Sequence, residues 1–154
     1  MPAATGAARP RRNAHPGRLV KSVERVRDLG EVFTPANIVA DMLDELPEEV
    51  WSPHPSPTFL EPAAGDGNFL VAILARKLAA ITRARQAGCL PAGEDIAACE
   101  LHGLQALASI YAVDISVENI VGGVPGHELG ARQRLLDVFT AWFQGEAGMR
   151  LTGR

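Results

Sequence analysis

A chain of 154 residues suits one domain, and a 47% hydrophobic share with 5% aromatics is ordinary for a folded globular protein. The longest apolar run, Phe69 to Ala75, is far too short to span a bilayer. Cys89 and Cys99, the only cysteines, match no zinc spacing and are too few for a disulfide scaffold. Both read as reduced and structural, which points to a cytoplasmic protein without a metal. The net charge of −3 says little about partners, but its distribution says more. Seven basic residues (Arg9, Arg11, Arg12, Arg18, Lys21, Arg25 and Arg27) face only Glu24 and Asp28 before Leu29. Such an arm on an acidic body can touch nucleic-acid phosphates, or it is simply a solvated tail.

In chain order, residues 1–28 read as a basic, disordered arm, with a short helix possible over Leu19 to Leu29. A domain is expected over residues 29–144 and a frayed end over residues 145–154. Thr34 is a good N-cap and Pro35 suits the first helical position. Ile38, Val39, Met42, Leu43 and Leu46 then share one helical face until Pro47. Thr58 to Leu60 is a short apolar strand. After the turn Ala63-Ala64-Gly65-Asp66-Gly67, a helix runs from Asn68 to Gln86, burying Leu70, Leu74, Leu78 and Ile81. Arg83 and Arg85 favour its C-terminal dipole, and Gly88 fits the cap.

A further helix over Ile96 to Leu107 presents Ile96, Leu101, Leu104 and Leu107 as its apolar side, although Gly103 weakens it. Ile110 to Ile115 reads as a second, buried strand. Ser116 caps a short helix broken by Gly122-Gly123-Val124-Pro125-Gly126. The last helix, Glu128 to Phe143, buries Leu129, Leu136, Phe139 and Phe143. Strands alternating with helices imply an α/β fold with a parallel sheet.

The turn after the first strand is the place to look for a ligand, because ligands of open parallel sheets sit at the carboxyl ends of strands. Gly65 and Gly67 permit backbone angles and approaches that a Cβ forbids, and the helix behind them offers free N–H groups. A tight turn that binds nothing has the same appearance. A dinucleotide fingerprint asks for a third Gly or Ala where Leu70 stands, and the phosphate-loop Gly-Lys-Ser/Thr is absent. The acids Glu61 and Asp66 flanking the turn repel a pyrophosphate and suit a cation. S-adenosylmethionine, with a sulfonium and an ammonium but no phosphate, fits that demand, with Glu61 on the ammonium. Asp114, closing the second strand, can accept ribose hydroxyls or can simply end the strand.

Three stretches together resemble the adenine-N6 DNA methyltransferases of restriction–modification systems. Gly30-Glu31-Val32-Phe33-Thr34-Pro35 resembles their N-terminal cofactor motif. Phe59 through Leu70 resembles the glycine-rich motif, and Ile110 to Ile115 the acidic ribose-binding strand. The resemblance covers about Leu29 to Asn119. It implies a partial Rossmann-like methyltransferase fold, with a truncated parallel sheet and flanking helices, that binds S-adenosylmethionine. It also implies that Phe33 lines the pocket, Thr34 approaches the methionine carboxylate, and Ala63 and Gly65 pass beneath the amino-acid end. Gly67 belongs to the same turn. Asp114 would hold the ribose and Ile115 flank the adenine. Asp66 stands where many members have Thr or Ser, and a helix N-cap suits it better.

The family's catalytic Asn/Asp-Pro-Pro-aromatic loop, which redirects the amine lone pair and stacks the flipped base, has no counterpart, since the sequence contains no Pro-Pro pair. No catalytic residue is therefore assigned. Two strands are few for a sheet and leave edges to cover. The expectation is a fragment, or one part of a split enzyme whose second subunit supplies the loop and reads DNA. A truncated methylase acting as a non-catalytic binding or regulatory protein is the alternative.

Overall fold

The computed structural model describes Val26 and residues 32–54, 56–90, 96–124 and 127–145. The basic arm, the rest of the helix expected over Leu19 to Leu29, Gly30 and Glu31 of the N-terminal motif, and residues 146–154 lie outside them. Helix α1 (Ala36–Asp44) leads through a 3₁₀ turn (Glu48–Trp51) to β1 (Phe59–Glu61) and α2 (Asn68–Gln86). Then come α3 (Ile96–Ala108), β2 (Ile110–Ala112), α4 (Val117–Val121), a hairpin of β3 (Gly122–Val124) and β4 (His127–Leu129), and α5 (Ala131–Gly145). The fold is thus mixed α and β around a small parallel sheet. Phe59 pairs with Ile110, Leu60 with Tyr111 and Glu61 with Ala112. A parallel pair needs a long crossover, supplied here by α2 and α3.

Helix α2 is the central beam. Its predicted stripe of Leu70, Leu74, Leu78 and Ile81 is buried, and so are Ile73, Lys77 and Ala80 on the adjoining face. The two faces feed two clusters. Leu74, Leu78 and Ile81 meet Cys99 and Ala106 of α3 and Phe139, Trp142 and Phe143 of α5. Ile73 and Ala80 meet Val39 and Leu43 of α1 and Trp51. Burying the first trio alone contributes at most about 5–8 kcal/mol before chain entropy is counted. The helix closes as a Schellman motif: Cys89 N–H donates to Ala84 O (2.9 Å), and Gly88 (φ 69°) N–H to Arg85 O (3.0 Å). Ile110 touches all three core clusters and so carries the sheet onto the helices.

Several expectations are corrected. Thr34 does not cap α1: Pro35 holds the N-cap position, and its carbonyl accepts the Val39 N–H. Only Val39 and Leu43 of the α1 stripe are buried, and Ile38, Met42 and Leu46 are exposed. The helix touches its neighbours along a narrow seam, fastened by Arg76, which donates to Ala40 O and Asp44 Oδ1. Among the described residues of α3 the buried ones are Ala98, Cys99, His102, Gly103 and Ala106, while Leu101 and Leu104 are exposed; the Ile96 side chain lies outside the described set. Close approach to α5 decides this. A Cβ on Gly103 would lie 2.5 Å from Trp142 Cζ3, so the contact face of α3 must be small. Trp142 settles there with its Nε1–H donating to Thr82 Oγ1 (2.9 Å).

The strand expected over Ile110 to Ile115 stops at Ala112, and Tyr111, Val113 and Ile115 are exposed. Helices pack on the Phe59/Ile110 side of the sheet, which leaves the Leu60/Tyr111 side bare. The Gly122–Gly126 stretch, read as a simple break, begins a hairpin, with Gly122 (φ 75°) and Gly123 (φ 89°) in a region that L side chains avoid. The last helix consequently begins at Ala131, later than expected. Leu129 falls in β4 and is exposed, Leu136 is exposed, and Ala131 and Trp142 join Phe139 and Phe143 inside. No described helix is long and apolar enough to cross a membrane.

Candidate functional site

The site grows from the two strand ends. Val113 N–H donates to Glu61 O and Ala64 N–H to Val113 O, both at 2.9 Å, so the chain after β1 and the chain after β2 leave the sheet side by side. Between them the backbone turns sharply. Gly65 takes φ 55°, and a Cβ there would come within 3.1 Å of the Phe33 ring. Gly65 therefore lets the turn lie flat against that aromatic wall.

Asp114 fastens the arrangement. Its Oδ2 accepts the Gly65 N–H (2.7 Å), and its Oδ1 accepts the Ser116 N–H (2.8 Å) and the Asn119 Nδ2–H (3.0 Å). One carboxylate thus ties the glycine turn to the end of β2 and the start of α4. A carboxylate has about four acceptor positions, so one on Oδ2 is left over. The expectation that Asp114 receives two ribose hydroxyls is accordingly narrowed to one, unless an internal donor moves away.

These elements enclose a cavity of about 390 Å³. That size lies within the ~300–1,000 Å³ typical of small-molecule sites. Glu61, Ala63, Gly65 and Asp66 form one side; Asp114 and Ile115 form another; Phe33 and Thr34 close a third. Eight of the nine residues expected to bind a cofactor therefore share one cavity. Gly67 is the exception. It is buried behind the turn, where a Cβ would lie 2.7 Å from Ala131 Cβ, so its role is packing against α5. Asp66 is likewise not an N-cap, because Gly67 occupies that position in left-handed geometry. Its carboxylate instead pairs with Arg134 (3.1 Å).

The sequence reading did not assign Val32, Ala64, Asn68, Phe69 and Asn119 to the cavity wall. It also missed Arg134 just behind it. Asn119 has a faint local signal, an amide five residues past Asp114. Arg134 has none, since its partners are 66 and 68 residues away. Asn68 Oδ1 accepts from Arg134 Nη2 (2.9 Å), and Asn68 Nδ2–H donates to Thr34 O (3.0 Å). The amide bridges α5 to the Phe33–Thr34 wall. Arginine only donates, which fixes the orientation of the amide.

The three acids of the cavity differ in compensation. Asp66 has a guanidinium, and Asp114 has three N–H donors. Glu61 receives one hydrogen bond, from the Ala63 N–H two residues on (3.0 Å). With neither a paired cation nor more than this one donor, it is the acid best placed to meet a charged ligand, and Phe33, Phe69, Val32 and Ile115 supply apolar walls nearby. The cavity therefore combines an anionic end, a hydrogen-bonding middle and an apolar side. Among the described residues, no three His, Cys, Asp or Glu side chains are grouped as metal ligands.

Comparison with known proteins finds no family model, curated protein or solved structure that matches the chain.

Proposed function

We propose that this cavity binds S-adenosylmethionine, and that the chain is the cofactor-holding part of an adenine-N6 DNA methyltransferase with a Rossmann-like sheet. One observation carries the reading. Glu61 and Asp114 stand at the carboxyl ends of neighbouring parallel strands and line the same cavity, with Gly65 in a left-handed turn between them. In this arrangement Glu61 meets the ammonium, the free position on Asp114 Oδ2 receives one ribose hydroxyl, and Phe33 and Ile115 flank the adenine. The residues suit the group: an uncompensated acid for a cation and, among the described residues, no basic side chain on the cavity wall for a phosphate. When bound, this cofactor supplies an electrophilic methyl group.

The Asn/Asp-Pro-Pro-aromatic loop that would present adenine is absent from the sequence. The reading therefore includes a further segment or a second polypeptide that supplies it and reads the DNA. The bare sheet face of Leu60, Tyr111 and Val113 supports such a neighbour, because apolar strands left open on one face and edge invite pairing. A non-catalytic protein that sequesters cofactor or binds an intact methylase is the second reading.

Calorimetric titration tests the core of the proposal. Saturable binding of S-adenosylmethionine with no heat from NAD is expected. Binding of NAD, or of neither compound, would overturn it. Radiolabelled methyl should not reach DNA from this chain alone but should do so once a subunit carrying the loop is added. Continued silence with such a subunit favours the non-catalytic reading.

A further inference from the structure

Among the described residues the cavity wall contains three acids, and one of them has a cation assigned to it from far along the chain. Arg134 lies in the first turn of α5, where the helix dipole disfavours a positive charge. Its guanidinium is nevertheless held there by three acceptors. Nη1 donates to the Asp66 carbonyl and approaches the Asp66 carboxylate at 3.1 Å; Nη2 donates to Asn68 Oδ1 at 2.9 Å. Both partners of the ion pair are partly buried, with side-chain exposures of 30% and 21%. Screening by water is therefore incomplete, and the charge of Asp66 is offset where it faces the ligand.

We infer that Arg134 sets the charge of the cavity and thereby its preference between a positively charged sulfonium donor and the neutral thioether left after methyl transfer. This rests on the reading of the cavity as an S-adenosylmethionine site. The physical basis is simple. Both compounds share the ammonium, carboxylate and adenosine, so the hydrogen bonds that Glu61, Thr34 and Asp114 make to those groups are common to the two. They differ by one positive charge at sulfur. Each unneutralised carboxylate on the wall favours the sulfonium selectively. With Arg134 cancelling Asp66, the preference for the sulfonium is held to what Glu61 and Asp114 exert, and the Asp66 charge adds nothing to it. Arg134 touches neither compound. It is a positioning residue that works through Asp66, and through Asn68 on the Thr34 carbonyl.

The test compares S-adenosylmethionine with S-adenosylhomocysteine by calorimetry and reads the ratio of their dissociation constants. A merely structural loss weakens both compounds together and leaves the ratio in place. Arg134→Ala should raise the preference for the sulfonium roughly three- to tenfold, the effect of one added charge at a partly wet site. Arg134→Lys, which keeps the charge, should leave the ratio near that of the parent. The double variant Asp66→Asn with Arg134→Ala should return it. Asp66→Asn alone leaves the guanidinium unopposed and should shift the ratio the other way, which provides an independent measurement if Arg134→Ala folds poorly. Parent-like ratios in both single variants would overturn the inference while leaving the cofactor assignment standing. Failure of the parent chain to bind either compound would overturn the cofactor assignment itself, and this inference with it.

Discussion

Replacing Asp114 by asparagine is the sharpest perturbation the site allows, because it changes one atom's chemistry and almost no volume. The carboxylate accepts two donors on Oδ1, from Ser116 and Asn119, and one on Oδ2, from Gly65. An asparagine has a single acceptor oxygen. If that oxygen goes where two donors converge, the amide NH₂ faces the Gly65 N–H, donor against donor. A hydrogen bond to a charged group is worth about 1.5–3 kcal/mol, and the two surviving bonds lose roughly half their strength with the charge. Asp114 is half-buried, so water recovers part of the loss. A net destabilisation of about 2–3 kcal/mol follows, large against the ~5–15 kcal/mol that holds a domain together. Urea unfolding followed by far-ultraviolet circular dichroism measures it, with a melting temperature lower by roughly 6–12 °C as a second reading. Asp114→Ala should cost somewhat more, since all three donors lose their partner. S-adenosylmethionine affinity should fall in both variants, because the Gly65 turn is no longer pinned. An asparagine variant that unfolds within about 0.5 kcal/mol of the parent would refute the view that this carboxylate holds the site together.

Other perturbations separate binding from folding. Glu61→Gln should weaken S-adenosylmethionine about tenfold, one charged contact's worth, with little change in unfolding, since the Glu61 side chain holds only its neighbour's Ala63 N–H; an unchanged dissociation constant would remove Glu61 from the site. Gly67→Ala combines a φ of 89° with a Cβ 2.7 Å from Ala131 Cβ, and should cost at least about 2 kcal/mol in a denaturant titration; a neutral substitution would show that the turn and α5 do not meet as described. Lys77 is 2% exposed, donates to Ser56 Oγ and Pro57 O, and has its pKa lowered by burial from 10.5 to about 8. Between those values the unfolded chain holds the proton that the folded chain has released. Stability should therefore rise with pH from about 8 to about 10.5, by up to roughly 3 kcal/mol. Lys77→Met should abolish that rise, and an identical pH slope in parent and variant would contradict it.

Some features were legible in the sequence because they are local. Helix α2 was read with its bounds and its Leu70–Leu74–Leu78–Ile81 stripe, since a long amphipathic period and a Gly88 cap depend only on neighbours in the chain. The site residues around Gly65 were readable for the same reason: a strand end, a glycine turn and a helix start form one continuous word, and Asp114 closes a second. Tertiary contact decided the rest. The choice of which face of α3 is buried fell to Trp142, because two helices approach closely only where side chains are small, and composition alone favours Leu101 and Leu104. The exposure of Tyr111 and Val113 depends on what covers the sheet, which hydrophobicity does not encode. Gly67 had the look of a ligand contact until α5 was found behind it. Asp66 had the look of a cap until Arg134 reached it across 68 residues. Hydrogen bonds and ion pairs between distant segments leave no period and no fixed spacing, so the compensation of each acid in the cavity, and with it the identity of the one left for a ligand, exists only once the chain has folded.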